Sequence, residues 1–128
     1  MPDNNTFIWN ELITLDQRTS GNFYSQLLGW DRKEVDAGPQ GTYTLFQRNG
    51  QDVAGMMNPT IDYTRNLGAR WYGYVAVEDI NDRVARVKKL GGKIIAGPDD
   101  IPGVGLVCLL ADPTGALIRL MQSATAPK

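Results

Sequence analysis

The residue type that most limits the chemistry of this chain is one it lacks: its 128 residues include no histidine. That removes the commonest general base and the commonest transition-metal ligand together. The other chemistry-bearing residues read blandly. Cys108 is the one cysteine; it lies in the apolar run Leu106–Leu110 with no histidine to activate it, which suits a small buried hydrophobe. It cannot form an intrachain disulfide, and that fits a reducing, cytoplasmic compartment. Gly103-Val104-Gly105 lacks the lysine of a phosphate loop and leads into a strand instead of a helix. Asp99-Asp100 supplies too few oxygens for a calcium site. Arg83, Arg86, Lys88 and Lys89 fall on the polar side of a helical pattern, a solvated face.

Bulk charge excludes further classes. With 13 basic against 14 acidic residues the net charge is -1, so the basic excess of a nucleic-acid binder is missing. No apolar run approaches the roughly 18 residues of a membrane span. The opening Met1-Pro2-Asp3-Asn4-Asn5 has no leader pattern, so a soluble, intracellular protein is expected. A chain 42% hydrophobic and 21% charged has the composition of an ordinary folded domain.

The elements that must position any site come in two similar sets. Phe7–Leu15 is strand-like, and Asp16 can cap a helix to about Leu28, with Phe23 and Leu27 on one face and Gly29 at its end. A turn-rich stretch, Gly38-Pro39-Gln40-Gly41, precedes a strand at Thr42–Gln47. Asn49-Gly50 is a hairpin turn into a return strand, Asp52–Met57. From Trp71 the order repeats. Trp71–Val77 is a strand, and Asp79 caps a helix carrying Ile80, Val84, Val87 and Leu90, which ends at Gly91-Gly92. Lys93–Ala96 is a short strand, and Gly97–Gly105 reads as a loop that could be a lid or only a turn. Leu106–Leu110 and Ala116–Met121 are strands joined through Asp112-Pro113-Thr114-Gly115. Asp16 matches Asp79, Leu28-Gly29 matches Leu90-Gly91, and Gly50 matches Gly115, an offset of about sixty-odd residues. The expectation is one α+β domain over residues 1–128. It has two βαβββ modules (about 6–58 and 71–122) joined by a linker at 59–70, neither large enough to bury its sheet alone.

Several runs carry a resemblance to a known family. Trp9-Asn10-Glu11-Leu12-Ile13-Thr14-Leu15-Asp16, Asn22-Phe23-Tyr24, Leu28-Gly29-Trp30 and Val53-Ala54-Gly55-Met56-Met57 look like one vicinal oxygen chelate module. Tyr74-Val75-Ala76-Val77-Glu78-Asp79, Leu90-Gly91-Gly92-Lys93 and Ala111-Asp112-Pro113-Thr114-Gly115-Ala116 look like a second. The chain thus resembles the glyoxalase/bleomycin-resistance/dioxygenase superfamily over nearly its whole length. The resemblance implies a half-open barrel with helices outside and a cavity inside. It also implies a metal held by one side chain from the first and last strand of each module. Counted from the matching landmarks, those positions are Trp9, Ala54 (with Met56 two residues on), Tyr72 and Arg119. An indole only donates, arginine stays protonated and a neutral phenol is a poor ligand, so this set makes no metal site. No metal and no cofactor are expected.

With those positions taken as cavity-facing, alternation along the strands adds Glu11 and Ile13, Tyr74 and Ala76, and Leu117 and Met121. Such walls, apolar and aromatic with a few polar groups, suit a small organic molecule, aromatic or anionic. Glu11 and Arg119 are the charged members. Glu11 is placed to act as acid or base and Arg119 to clamp an oxygen; alternatively the two form a structural pair. Three readings follow: a metal-independent binder of the bleomycin-resistance type, a metal-free isomerase or lyase using Glu11 or a pocket tyrosine, and an interaction module whose cavity is filled. The resemblance also implies a homodimer.

Overall fold

Two aspartates begin the two halves in the same way in the computed structural model, which describes residues 4–124. Asp16 accepts from the Thr19 backbone N–H at 3.0 Å and starts α1 (Gln17–Leu28). Asp79 accepts from Asp82 N–H at 3.2 Å and starts α3 (Ile80–Val87). Each carboxylate satisfies a donor that a helix start otherwise leaves orphaned. Gly29 closes α1 at φ 72°, a left-handed conformation that suits glycine. Met1–Asp3, read above for a leader, lie outside the described residues. Among the described residues, no helix is long and apolar enough to cross a membrane.

The chain is mixed α+β and packs as two compact units. The first runs from Trp9 to Tyr72. It contains most of β1 (Phe7–Ile13), α1, β2 (Asp31–Asp36), β3 (Thr42–Arg48) and β4 (Gln51–Met57), in the sheet order β2-β3-β4-β1. β1 and β4 are parallel, with Glu11 opposite Gly55 and Leu12 opposite Met56. Leu12, Phe46, Ala54 and Met56 form a core against Tyr24 of α1 and Trp30 just beyond it. Gly21 of α1 leaves room for the Met56 methyl, which a Cβ there would approach to 3.3 Å.

The second unit takes residues 4–8 and 73–124. It holds most of β5 (Arg70–Ala76), then α3, β6 (Lys93–Ile101), β7 (Gly105–Ala111) and β8 (Leu117–Ser123), in the order β5-β8-β7-β6. Val77, Ile80, Cys108 and Leu110 are its buried core on the α3 side, joined by Val75, Val84, Ile118 and Leu120. Both units therefore pack one helix on one face of a four-stranded sheet, and each buried Leu, Ile, Phe or Met there contributes about 1.5–3 kcal/mol.

Four boundaries differ from the sequence reading, each for a local reason. β2 was not located because its sequence, Asp-Arg-Lys-Glu-Val-Asp, is exposed along its whole length and shows no apolar alternation. The expected loop at Gly97–Gly105 is strand as far as Ile101, with only a tight turn after it. The register shifts twice along β6, between Ile94 and Ala96 and between Ala96 and Asp99, so the ladder continues through Gly97-Pro98. That stretch is therefore no lid. α3 ends at Val87 rather than Leu90, which lies beyond the helix and is exposed. The linker contains a short helix, α2 (Asp62–Leu67).

One further irregularity decides what the first sheet presents on each face. Along β3 and β4, Phe46 pairs with Ala54 but Gln47 pairs with Asp52, so Val53 is an extra residue on β4. Such a bulge reverses the alternation of every residue beyond it. The β7–β8 ladder runs without interruption from Gly105–Ser123 to Ala111–Leu117.

Candidate functional site

Leu12 lies in the α1-side core, so its neighbours Glu11 and Ile13 point to the other, helix-free face of the first sheet. Glu11 is 5% exposed and Ile13 is 3% exposed. Tyr43 of β3 lies on this face too, and its hydroxyl donates to Glu11 Oε2 at 2.9 Å. The Trp9 indole N–H in turn donates to the Tyr43 oxygen at 3.0 Å. An indole can only donate, so the chain has one direction: the phenol oxygen accepts from Trp9 and the phenol O–H donates a hydrogen bond to the carboxylate. Burial, and next the charge on Glu11, push the Tyr43 phenol well above its ordinary value of 10.0. Tyr43 is therefore a fixed neutral donor.

Gly55 makes the seat for this phenol. A Cβ at Gly55 would coincide with the Tyr43 hydroxyl, so only the bare backbone admits the ring there. Sequence reasoning missed both residues. The signal that could have found them is the strand alternation Tyr43, Leu45, Gln47 set against a glycine in the facing strand.

Two expected members of the site lie elsewhere. Ala54 and Met56 are on the α1 side, in the core with Leu12 and Phe46. The reason is the bulge: counting four residues on from Gly50 ignores the extra residue Val53. The same count from Gly115 reaches Arg119 along an unbroken ladder and keeps its phase. On the first sheet the helix-free positions of β4 beyond the bulge are Gly55 and Met57.

In the second unit the expected alternation holds. Val75 and Leu120 join the α3-side core, which leaves Tyr74, Ala76, Arg119 and Met121 on the opposite face, with Leu117 in phase. Tyr74 faces Arg119 across the parallel β5–β8 pair, and the guanidinium carbon lies 5.8 Å from the ring centre, a cation–π contact. Tyr72, two residues before Tyr74, is 1% exposed. Cys108 lies in the α3-side core, and burial pushes its thiol up from its ordinary value, which makes it a poor nucleophile.

Residues 7–120 match the model of the Glyoxalase/Bleomycin resistance protein/Dioxygenase superfamily. The chain belongs to that superfamily. Its relatives include CFP32 of Mycobacterium tuberculosis, whose name marks it as a provisional glyoxylase. The two are 32% identical over 119 residues, covering 93% of this chain and 44% of CFP32. The anthracycline biosynthesis protein DnrV of Streptomyces peucetius is 34% identical over 125 residues, covering 89% of this chain and 46% of DnrV. The chain thus spans less than half the length of these relatives. Among solved structures, methylmalonyl-CoA epimerase from Mycobacterium tuberculosis superposes with a TM-score of 0.64 at 16% identity, covering 97% of this chain and 93% of the epimerase. Homoprotocatechuate 2,3-dioxygenase from B. fuscum superposes with a TM-score of 0.62 at 18% identity over 99% of this chain and 34% of the dioxygenase. These structural likenesses establish the fold.

The metal that the superfamily implies does not fit the residues at the equivalent strand positions. With the bulge taken into account they are Trp9, Gly55, Tyr72 and Arg119. Glycine has no side chain to ligate a metal, and the Tyr43 phenol lies over it. Among the described residues, no group of three or more His, Cys, Asp or Glu is placed to hold a metal ion. No metal step is derived for this chain.

Proposed function

We propose that this protein binds a small organic molecule without a metal, on the helix-free face of its first sheet, with Glu11 as the polar anchor. The observation that carries this reading is the Trp9–Tyr43–Glu11 hydrogen-bond chain. A carboxylate that is 5% exposed costs several kcal/mol to desolvate unless donors surround it. Here the Tyr43 hydroxyl, itself fixed by the Trp9 indole, donates to it beside the apolar Ile13. Tyr72 of the first unit is a further candidate contact; taken by itself, the helix-free face of the second unit offers Tyr74, Leu117, Arg119 and Met121, where the Arg119 guanidinium suits an anionic or carbonyl oxygen. The aromatic ligand class also draws support from DnrV, a relative named for anthracycline biosynthesis.

A second reading has its own observation. A fixed neutral phenol donating to a buried carboxylate is an arrangement for proton transfer, with Glu11 as acid or base of a metal-free isomerase or lyase and Tyr43 holding it. The name of CFP32 points the same way.

Native mass spectrometry of the purified protein with elemental analysis tests the proposal. A metal-free protein carrying a co-purified organic mass is the expected result, and a stoichiometric transition metal would sink it. Glu11→Gln should then weaken retention of that compound at least tenfold, since a hydrogen bond to a charged group contributes about 1.5–3 kcal/mol. If Glu11→Gln keeps the compound bound while its conversion by the wild-type protein stops, the enzymatic reading replaces the binding one.

A further inference from the structure

The first sheet carries a second concavity, on its α1 side. Asn10, Tyr24, Trp30, Val53, Ala54 and Trp71 line a cleft of about 390 Å³, within the size range of organic-ligand pockets. Asn10 precedes Glu11 on β1, so the two side chains leave the sheet in opposite directions. This cleft and the Glu11 site are therefore separated by the sheet itself. Val53 reaches the cleft because it is the bulged residue of β4; re-aiming a side chain is what a bulge does.

The walls are rings set at right angles. Tyr24 and Trp30 lie 26° from parallel with centres 6.0 Å apart. Trp71 stands at 79° to Tyr24 and 82° to Trp30, with centres 5.3 and 6.4 Å away. The Trp71 indole N–H is taken up by the Tyr24 hydroxyl at 3.0 Å, so these rings offer π faces and edges and the indole offers no further donor. None of the six lining residues is charged; their polar side-chain groups are the Asn10 amide, the Tyr24 hydroxyl and the indole N–H groups of Trp30 and Trp71. Trp71 is nevertheless 38% exposed, leaving costly aromatic surface in water.

We propose that this cleft is a second binding site, independent of the Glu11 site, for an uncharged planar aromatic compound. A flat ring stacks on one wall and meets the perpendicular wall edge-on, the two arrangements that aromatic quadrupoles favour. The Asn10 amide supplies N–H donors and a carbonyl acceptor for a ring hydroxyl or carbonyl. The absence of a charged lining residue selects against ions.

Three tryptophans make the test direct, because two line this cleft and one belongs to the Glu11 site. In a ¹⁵N–¹H spectrum each indole gives one side-chain resonance, assignable with Trp→Phe variants. Titration with 2-naphthol at fixed protein concentration should move the Trp30 and Trp71 resonances saturably. Trp71→Ala should weaken that binding about tenfold, the worth of one aromatic contact, while Trp71→Phe should retain most of it. Glu11→Gln should leave it unchanged, so the outcome does not depend on the function proposed above. Shifts confined to Trp9, or no saturable shift at all, would overturn the proposal. It would also fail if the Trp30 and Trp71 resonances move on dilution alone, for the cleft would then be covered by a second copy of the chain.

Discussion

The two units each set one helix against four strands, and the last hairpin of each differs by one residue of ladder. In the second, β7 and β8 pair without a break, and the helix-free face carries Tyr74 against Arg119. In the first, Val53 interrupts β3–β4, and the helix-free face carries Glu11 under a phenol seated on a glycine. One half thus presents a cation held on a ring, and the other a carboxylate held by donors. The lesson is that equivalent positions in a duplicated fold are set by phase along the strand, and phase is as easily changed by an insertion as by a substitution.

Met56→Ala breaks this comparison most severely. If β4 has the phase described, Met56 is core, and its truncation should cost about 2–5 kcal/mol of unfolding free energy. Val53→Ala, at a half-exposed bulge, should cost less than about 0.5 kcal/mol. Urea denaturation of both variants gives the answer; near-equal losses would mean that the bulge is not where the ladder places it.

Gly55→Ala asks whether the phenol's seat is real. A methyl group where the Tyr43 hydroxyl lies should destabilise by about 1–3 kcal/mol through overpacking. Adding Tyr43→Ala should return part of that loss, a non-additivity expected only of groups in contact. Strict additivity would remove Tyr43 from Gly55.

The smallest effect concerns the hairpin turns. The β3–β4 turn relies on positive φ at Asn49 and Gly50, whereas in the β7–β8 turn Asp112 accepts from Thr114 N–H, Thr114 Oγ1 and Ala116 N–H. Those bonds, Thr114's first, hold the Asp112 carboxyl below its ordinary 3.8. The folded value is lower than the unfolded one, so the contribution is complete above about pH 4 and fades as pH falls through the folded value. Thermal unfolding of Asp112→Asn should show a small deficit at pH 6 that narrows below pH 4. A deficit constant with pH would assign the turn's stability to shape alone.

Much of this was legible in the amino-acid order. Asp16, Asp79 and Gly29 announce their helix ends because capping is local chemistry. The spacing of Ile80, Val84 and Val87 identifies the buried stripe of α3. Tyr74 and Arg119 were placed on one face by counting, since nothing disturbs the count. β2 was illegible because all of its residues are exposed and its pairing is backbone alone. Tyr43 was missed because its role depends on Glu11 of β1, 32 residues away, and on Gly55 across the β3–β4 hairpin, which leaves room for its ring. Ala54 and Met56 were assigned to the wrong face because a bulge has no side-chain signature: Val53 looks like any valine in a strand.

The extra residue at Val53 has a consequence for comparing the two halves of this chain. A correspondence with the β7–β8 hairpin drawn from the Asn49-Gly50 turn forward is out of step by one from Ala54 onward, and one drawn backward from Met57 is not. For β4 the dependable origin is its parallel partner: Leu12 beside Met56 fixes the frame that the turn loses.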